Sequence, residues 1–215
     1  LSAEDGHRPL QSPHQGAVLS EFAYKAPRRA ARDLRVDELA DQRVIAVHEA
    51  GHALASIRLT PENRLKRVSI LPAGGGAAGY NLSIPPERAM LEKRQIECQI
   101  EVLLAGRAAE LLVGGDDAVT AGAANDLSRA AELAAALVMD LGMAGEPAVS
   151  LRALSRACGG ADDGKALCRQ KLSELFERVS ALLLQHADEL LLLTDALVER
   201  EAMSGEEVEA LLRAA

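Results

Sequence analysis

Residues 44–55 read VIAVHEAGHALA, an apolar run interrupted by His48, Glu49 and His52. The two histidines stand four apart. At 3.6 residues per turn they share one helix face, about 40° and one turn from each other. Both imidazoles can therefore reach a single ion at about 2.0–2.1 Å. Glu49 falls between them in angle, beside such a site but not placed as its third ligand, which suits a general base. Ala50 and Gly51 leave room for close packing. A dry, apolar surround strengthens a cation's pull on water and substrate.

The rest of the chain frames this helix. Its 215 residues are 48% hydrophobic but only 2% aromatic, with no Trp, so the core must be built from Leu, Ala and Val. Ala and Leu favour helices. The net charge of −8 gives no support to nucleic-acid binding. Cys98, Cys158 and Cys168 form no C-x-x-C pair, which argues against a disulfide scaffold and fits a reducing compartment. No apolar run reaches transmembrane length.

Residues 1–36 lack periodicity, carry the basic cluster KAPRRAARDLR (25–35) and read as a flexible arm or linker, with His7 and His14 incidental. From Val36 to Leu59 the pattern is helical, and Thr60-Pro61 ends it. In KRVSILPAGGGAAGYNLSI (66–84), alternation of Val68, Ile70, Tyr80, Leu82 and Ile84 around a glycine-rich loop predicts an antiparallel strand pair. No G-x-x-x-x-G-K-[ST] occurs, so the glycines are not a P-loop. Pro85-Pro86 are expected to open a helix that carries Ile96 to Leu112 and stops at Gly114-Gly115. A further helix is expected from Asp126 to Leu141, a loop at 155–164, and two long helices at 164–186 and 187–200. A last helix opens at Ser204 with a capping box, SGEE.

The third ligand is open on spacing alone. Glu101 and Glu110 lie on the helix downstream, and Asp116, Asp117 and Asp126 follow. Asp126, at a helix start after a glycine-containing loop, stands only slightly ahead of Glu110. The plain alternative for Asn125-Asp126 is helix capping.

HEAGHALA, KRVSILPAGGGAAGYNLSIP, AGRAAELL, TAGAANDLSRAAELA and LGM, in that order, resemble the peptidase domain of FtsH-type ATP-dependent zinc metalloproteases. The resemblance covers about residues 37–215. It implies a mainly α fold, a helical peptidase domain with a small β-sheet next to the active-site helix. It implies Zn2+ held by His48, His52 and Asp126, with Glu49 as catalytic base. It also implies that the strand Gly79, Tyr80, Asn81, Leu82, Ser83 and Ile84 lies beside the site and holds extended polypeptide. The expected activity is a zinc-dependent endopeptidase acting on unfolded polypeptides. The family further implies a homo-hexameric ring, an AAA ATPase module and a membrane segment. These 215 residues contain no Walker motif and no such segment. The expected setting, from the cysteine pattern, is cytoplasmic, with room for membrane association through a segment outside this sequence. The loop AGGGAAGYN departs from the family's short, basic turn. Two other readings are a non-catalytic assembly module that kept the fold, and another H-E-x-x-H hydrolase such as a deformylase. The second needs a metal-binding Cys upstream of His48, and none precedes it.

Overall fold

The computed structural model describes residues 31–72, 79–87, 90–144, 147–159 and 164–214. The chain divides into two units, Leu1–Glu38 and Leu39–Ala215. The arm expected over 1–36, with its two histidines, lies outside the described residues up to residue 30. The first helix, α1 (Ala31–Leu59), begins before the expected Val36. It ends where Thr60 Oγ1 donates to the Ser56 carbonyl at 2.8 Å, just ahead of Pro61.

Strands β1 (Arg64–Ser69) and β2 (Tyr80–Ile84) pair antiparallel as expected, with Ser69 opposite Tyr80 and Val68 opposite Asn81. The register slips between Leu65 and Arg67, which places a bulge at Lys66. A third strand, β3 (Ala202–Ser204), joins the other side of β1, giving the order β2-β1-β3. Three residues are too few to show a period-2 pattern, so the sequence does not announce it.

Helix α2 (Lys93–Gly114) starts later than Pro85-Pro86 suggest. Gln95 Oε1 accepts from the Glu92 N–H at 2.9 Å and fixes that start. After two short 3-10 turns, Asp116–Ala118 and Ala121–Ala123, comes α3 (Ala124–Ala135), which runs on as a π turn over Ala136–Asp140. Asp126 is thus in the first turn of α3 rather than capping it. Helix α4 (Leu151–Cys158) occupies part of the expected loop at 155–164, opened by the Ser150 hydroxyl accepting from the Ala153 N–H at 3.2 Å. Helices α5 (Gly164–Gln185) and α6 (Ala187–Arg200) match expectation. So does α7 (Gly205–Ala214), whose capping box is complete: Ser204 Oγ accepts from the Glu207 N–H, and Glu207 Oε2 accepts from the Ser204 N–H. The fold is mainly α with a small sheet.

The core is aliphatic, as the lack of aromatics requires: Leu54, Ile100, Leu137, Leu175, Leu183, Leu193 and Leu197 are fully buried. Burying a Leu or Ile side chain stabilises by about 1.5–3 kcal/mol. Among the described residues no helix is long and apolar enough to cross a membrane.

One buried charge bears on pH. Glu101, weighed above as a metal ligand, instead meets Arg178 Nε at 2.9 Å and Arg94 Nη1 at 3.2 Å. Burial pushes its carboxyl up to about 7, against the pull of Arg94 and with help from the Glu97 and Glu174 charges. The folded state therefore holds a proton that an ordinary carboxyl, with its value of 4.5, has released. This group's stabilisation is full at low pH and is lost as pH rises from 4.5 to about 7. Glu101→Gln, neutral throughout, is expected to flatten the fall in stability over that window, read as denaturation midpoint against pH.

Candidate metal centre

Helix α1 carries His48 and His52 one turn apart, both buried, with their rings at 76° and centroids 4.6 Å apart. Their Nε2 atoms are separated by 3.0 Å. Asp126 Oδ2 lies 3.4 Å from each. The three atoms form a tight triangle open to a common ion. Tetrahedral ligands with bonds of about 2.0–2.1 Å stand about 3.3–3.4 Å apart, close to the observed spacings.

The far side of each ring decides what these nitrogens are. His52 Nδ1 is 2.7 Å from the Val102 carbonyl, which can only accept, so Nδ1 carries the proton. His48 Nδ1 donates to Glu110 Oε1 at 2.7 Å. With Nδ1 as the donor, each ring in its neutral form aims the Nε2 lone pair into the triangle. Two lone pairs at 3.0 Å repel unless a positive charge sits among them. Such back-side acceptors also fix ring orientation and raise ligand basicity.

Helix α2 supplies this backing through a stripe at every fourth residue: Val102, Gly106 and Glu110. Positions four apart share a helix face. A Cβ on Gly106 would lie 2.5 Å from His48 Cε1 and 2.6 Å from both Nε2 atoms, so only glycine leaves the triangle clear. Gly51 does the same for the helix pair, since its Cβ would meet Ala109 Cβ at 2.6 Å and the Ala105 carbonyl oxygen at 2.7 Å.

Glu110 also bears on the placing of Asp126. Its carboxylate accepts from the Thr120 N–H at 2.9 Å and the Thr120 hydroxyl at 3.2 Å. Arg107 donates to the Thr120 carbonyl at 2.5 Å. Thr120 in turn caps the turn Ala121–Ala123, its hydroxyl accepting from the Gly122 N–H at 3.1 Å, and that turn leads directly into α3 and Asp126. One carboxylate thus sets both His48 and the loop before Asp126.

The electrostatics favour positive charge in the triangle. Burial alone raises Asp126, but hydrogen bonds and charge from His48 and His52 outweigh it and hold the carboxyl well below its ordinary value. Burial alone lowers His48, yet Asp126, Glu110 and Glu49 together leave it raised.

The sequence profile of Peptidase family M41 matches residues 35–162. The chain belongs to Peptidase family M41. A protein of Lachnoclostridium phytofermentans named ATP-dependent zinc metalloprotease FtsH is 36% identical over 169 residues, covering 79% of this chain and 29% of its own length. ATP-dependent zinc metalloprotease FtsH 1 of Symbiobacterium thermophilum is 36% identical over 217 residues, covering 99% of this chain and 35% of its own. ATP-dependent zinc metalloprotease YME1L of Drosophila melanogaster is 32% identical over 195 residues, covering 86% and 26%. This M41 chain spans about a third of the length of the curated relatives it matches.

In this M41 chain, then, His48, His52 and Asp126 come together, whereas Glu110 sits behind His48 and Glu101 pairs with arginines. Asp116 and Asp117 stay exposed on their own short turn. Glu49 is buried beside the histidines, and burial raises its carboxyl against the pull of His52, His48 and a hydrogen bond from Asn81. Of the strand residues, Leu82 and Ile84 are half exposed, while Asn81 turns to Glu49 and Ser83 lies 3.3 Å from Ser56, both on α1. Most of the glycine-rich loop, 73–78, lies outside the described residues. The sequence reading missed the supporting role of Gly106. A glycine inside a helix costs about 1 kcal/mol against Ala, which is itself a signal of close approach.

Proposed function

We propose that this chain is the proteolytic unit of a zinc-dependent metalloendopeptidase, in which His48, His52 and Asp126 hold the metal and Glu49 is the general base. The observation that carries this reading is the triangle of two imidazole nitrogens and one carboxylate oxygen, with the buried Glu49 beside it. The donor set fits zinc, which takes imidazole nitrogen and carboxylate oxygen in fourfold sites and leaves the last position open when catalytic.

Zinc, when bound, supplies Lewis acidity toward water and the scissile carbonyl. The chain's own groups do the rest. Glu49 takes a proton from water as the oxygen–carbon bond forms, then returns it to the amide nitrogen as the carbon–nitrogen bond breaks. Its raised affinity for a proton suits a group that must hold one briefly. Glu110 and the Val102 carbonyl keep both rings in one tautomer throughout.

Strand β2 is at the edge of the sheet, so the outer backbone groups of Tyr80, Asn81, Leu82, Ser83 and Ile84, with Gly79 just ahead of them, suit main-chain pairing with extended polypeptide. Such pairing is largely blind to sequence and needs an unfolded substrate. The relatives are named ATP-dependent, which supports a coupling to ATP here. For this chain we infer a hexameric homo-oligomer working with an AAA ATPase module.

A casein-type unfolded substrate tests the reading. The purified, zinc-loaded chain is expected to cleave it slowly, to stop on addition of a chelator and to recover with zinc. A stably folded protein should resist, because opening one costs about 5–15 kcal/mol. No cleavage, or cleavage indifferent to the chelator, would contradict the proposal.

A further inference from the structure

Asn81 stands out on β2. Its Nδ2 donates to Glu49 Oε2 at 2.6 Å and to the Glu49 main-chain oxygen at 3.0 Å. Both partners are acceptors, so the amide has one admissible orientation; turned over, its oxygen would press on a carboxylate. In that orientation Oδ1 is buried and, among the described residues, accepts no hydrogen bond. An amide placed for its own satisfaction would not leave an acceptor buried and unpaired. The arrangement is built around Glu49 instead.

The strand holds this donor firmly. Asn81 is opposite Val68, which is fully buried in the central strand. Two residues earlier, Gly79 completes the seat. A Cβ there would lie 2.7 Å from Glu49 Oε1 and 2.8 Å from the Ser69 carbonyl oxygen. One carboxylate oxygen is therefore gripped by Asn81, and the other lies over a position with no side chain.

We propose that Asn81 is the positioning residue for the base: it clamps Glu49 through Oε2 and the main chain, leaving Oε1 outside that grip. This rests on the peptidase reading above. It adds that the strand proposed to align the polypeptide also aims the base. An element that aligns one reactant and orients the other fixes their mutual geometry, the quantity to which rate is most sensitive.

The test compares Asn81→Asp, Asn81→Ala and Ser56→Ala in the full chain. Asn81→Asp keeps the shape but removes the donor and sets a second carboxylate against Glu49. Ser56→Ala removes the contact between the same helix and Ser83 without touching the base. Turnover of the unfolded substrate is expected to fall in Asn81→Asp by up to ~10²-fold, the scale of a misplaced reacting group, and less in Asn81→Ala. KM and zinc content should stay near wild type, and Ser56→Ala should match wild type in turnover. A purely structural role predicts the reverse order, with the isosteric Asn81→Asp the mildest. Side-chain amide NMR reads the contact without activity: the Asn81 NH2 signal should move strongly on Glu49→Gln. Wild-type turnover in Asn81→Asp, or an Asn81 signal indifferent to Glu49→Gln, overturns the proposal. A zinc-loaded wild type that cleaves nothing sinks the peptidase reading, and the amide signal then decides alone whether the clamp exists.

Discussion

Glu49→Gln is expected to lower cleavage of an unfolded polypeptide by at least ~10²-fold while zinc stays bound at wild-type stoichiometry. The substitution keeps the volume of a side chain buried beside the histidines, and an amide oxygen can still accept from Asn81. It cannot take and return a proton. Metal binding should survive because Glu49 is not among the three atoms that converge. Kinetics and metal content measured on the same preparation separate the two effects. Cleavage at the wild-type rate would remove Glu49 from the mechanism, and loss of zinc would make it part of the ligand set.

Gly106→Ala is the second large effect. The added Cβ would come within 2.5–2.6 Å of His48 and His52, and real Cβ atoms essentially never stand that close to a neighbour. The rings are pinned from behind by Glu110 and Val102 and have little room to retreat. Alanine is the better helix former, so α2 itself gains about 1 kcal/mol from the change. Metal affinity is expected to fall by roughly 10–100-fold, the range seen when a supporting contact of a metal site is lost, and activity with it. A competition titration against a chromophoric chelator reads the affinity; an unchanged value would show that the triangle is not where the metal sits.

The histidine pair and Glu49 are legible from the sequence because all three lie within about one helical turn, where spacing fixes geometry. Asp126 is not legible in that way. Spacing leaves it nearly level with Glu110, and the family resemblance picks Asp126; the placing of α2 and α3 around α1 gives the physical reason, since Glu110 meets the back of His48 while Asp126 meets the front. The strand pair is legible too, but alternation does not say which face turns inward. Here the polar face, Asn81 and Ser83, meets α1, and Leu82 and Ile84 are left half exposed. Helix α4 hid behind residues that favour turns, and β3 behind its length.

The central claim is that two histidines and one aspartate hold the metal, and zinc content across three purified proteins tests it most directly. Wild type should carry one zinc per chain. Asp126→Ala should lose it, because one vertex of the triangle is gone. Glu110→Ala should keep it, at reduced affinity, because Glu110 meets the far nitrogen of His48 and the Thr120 loop but contributes no atom to the triangle. Full zinc in the Asp126 variant, or none in the Glu110 variant at saturating metal, would contradict the assignment.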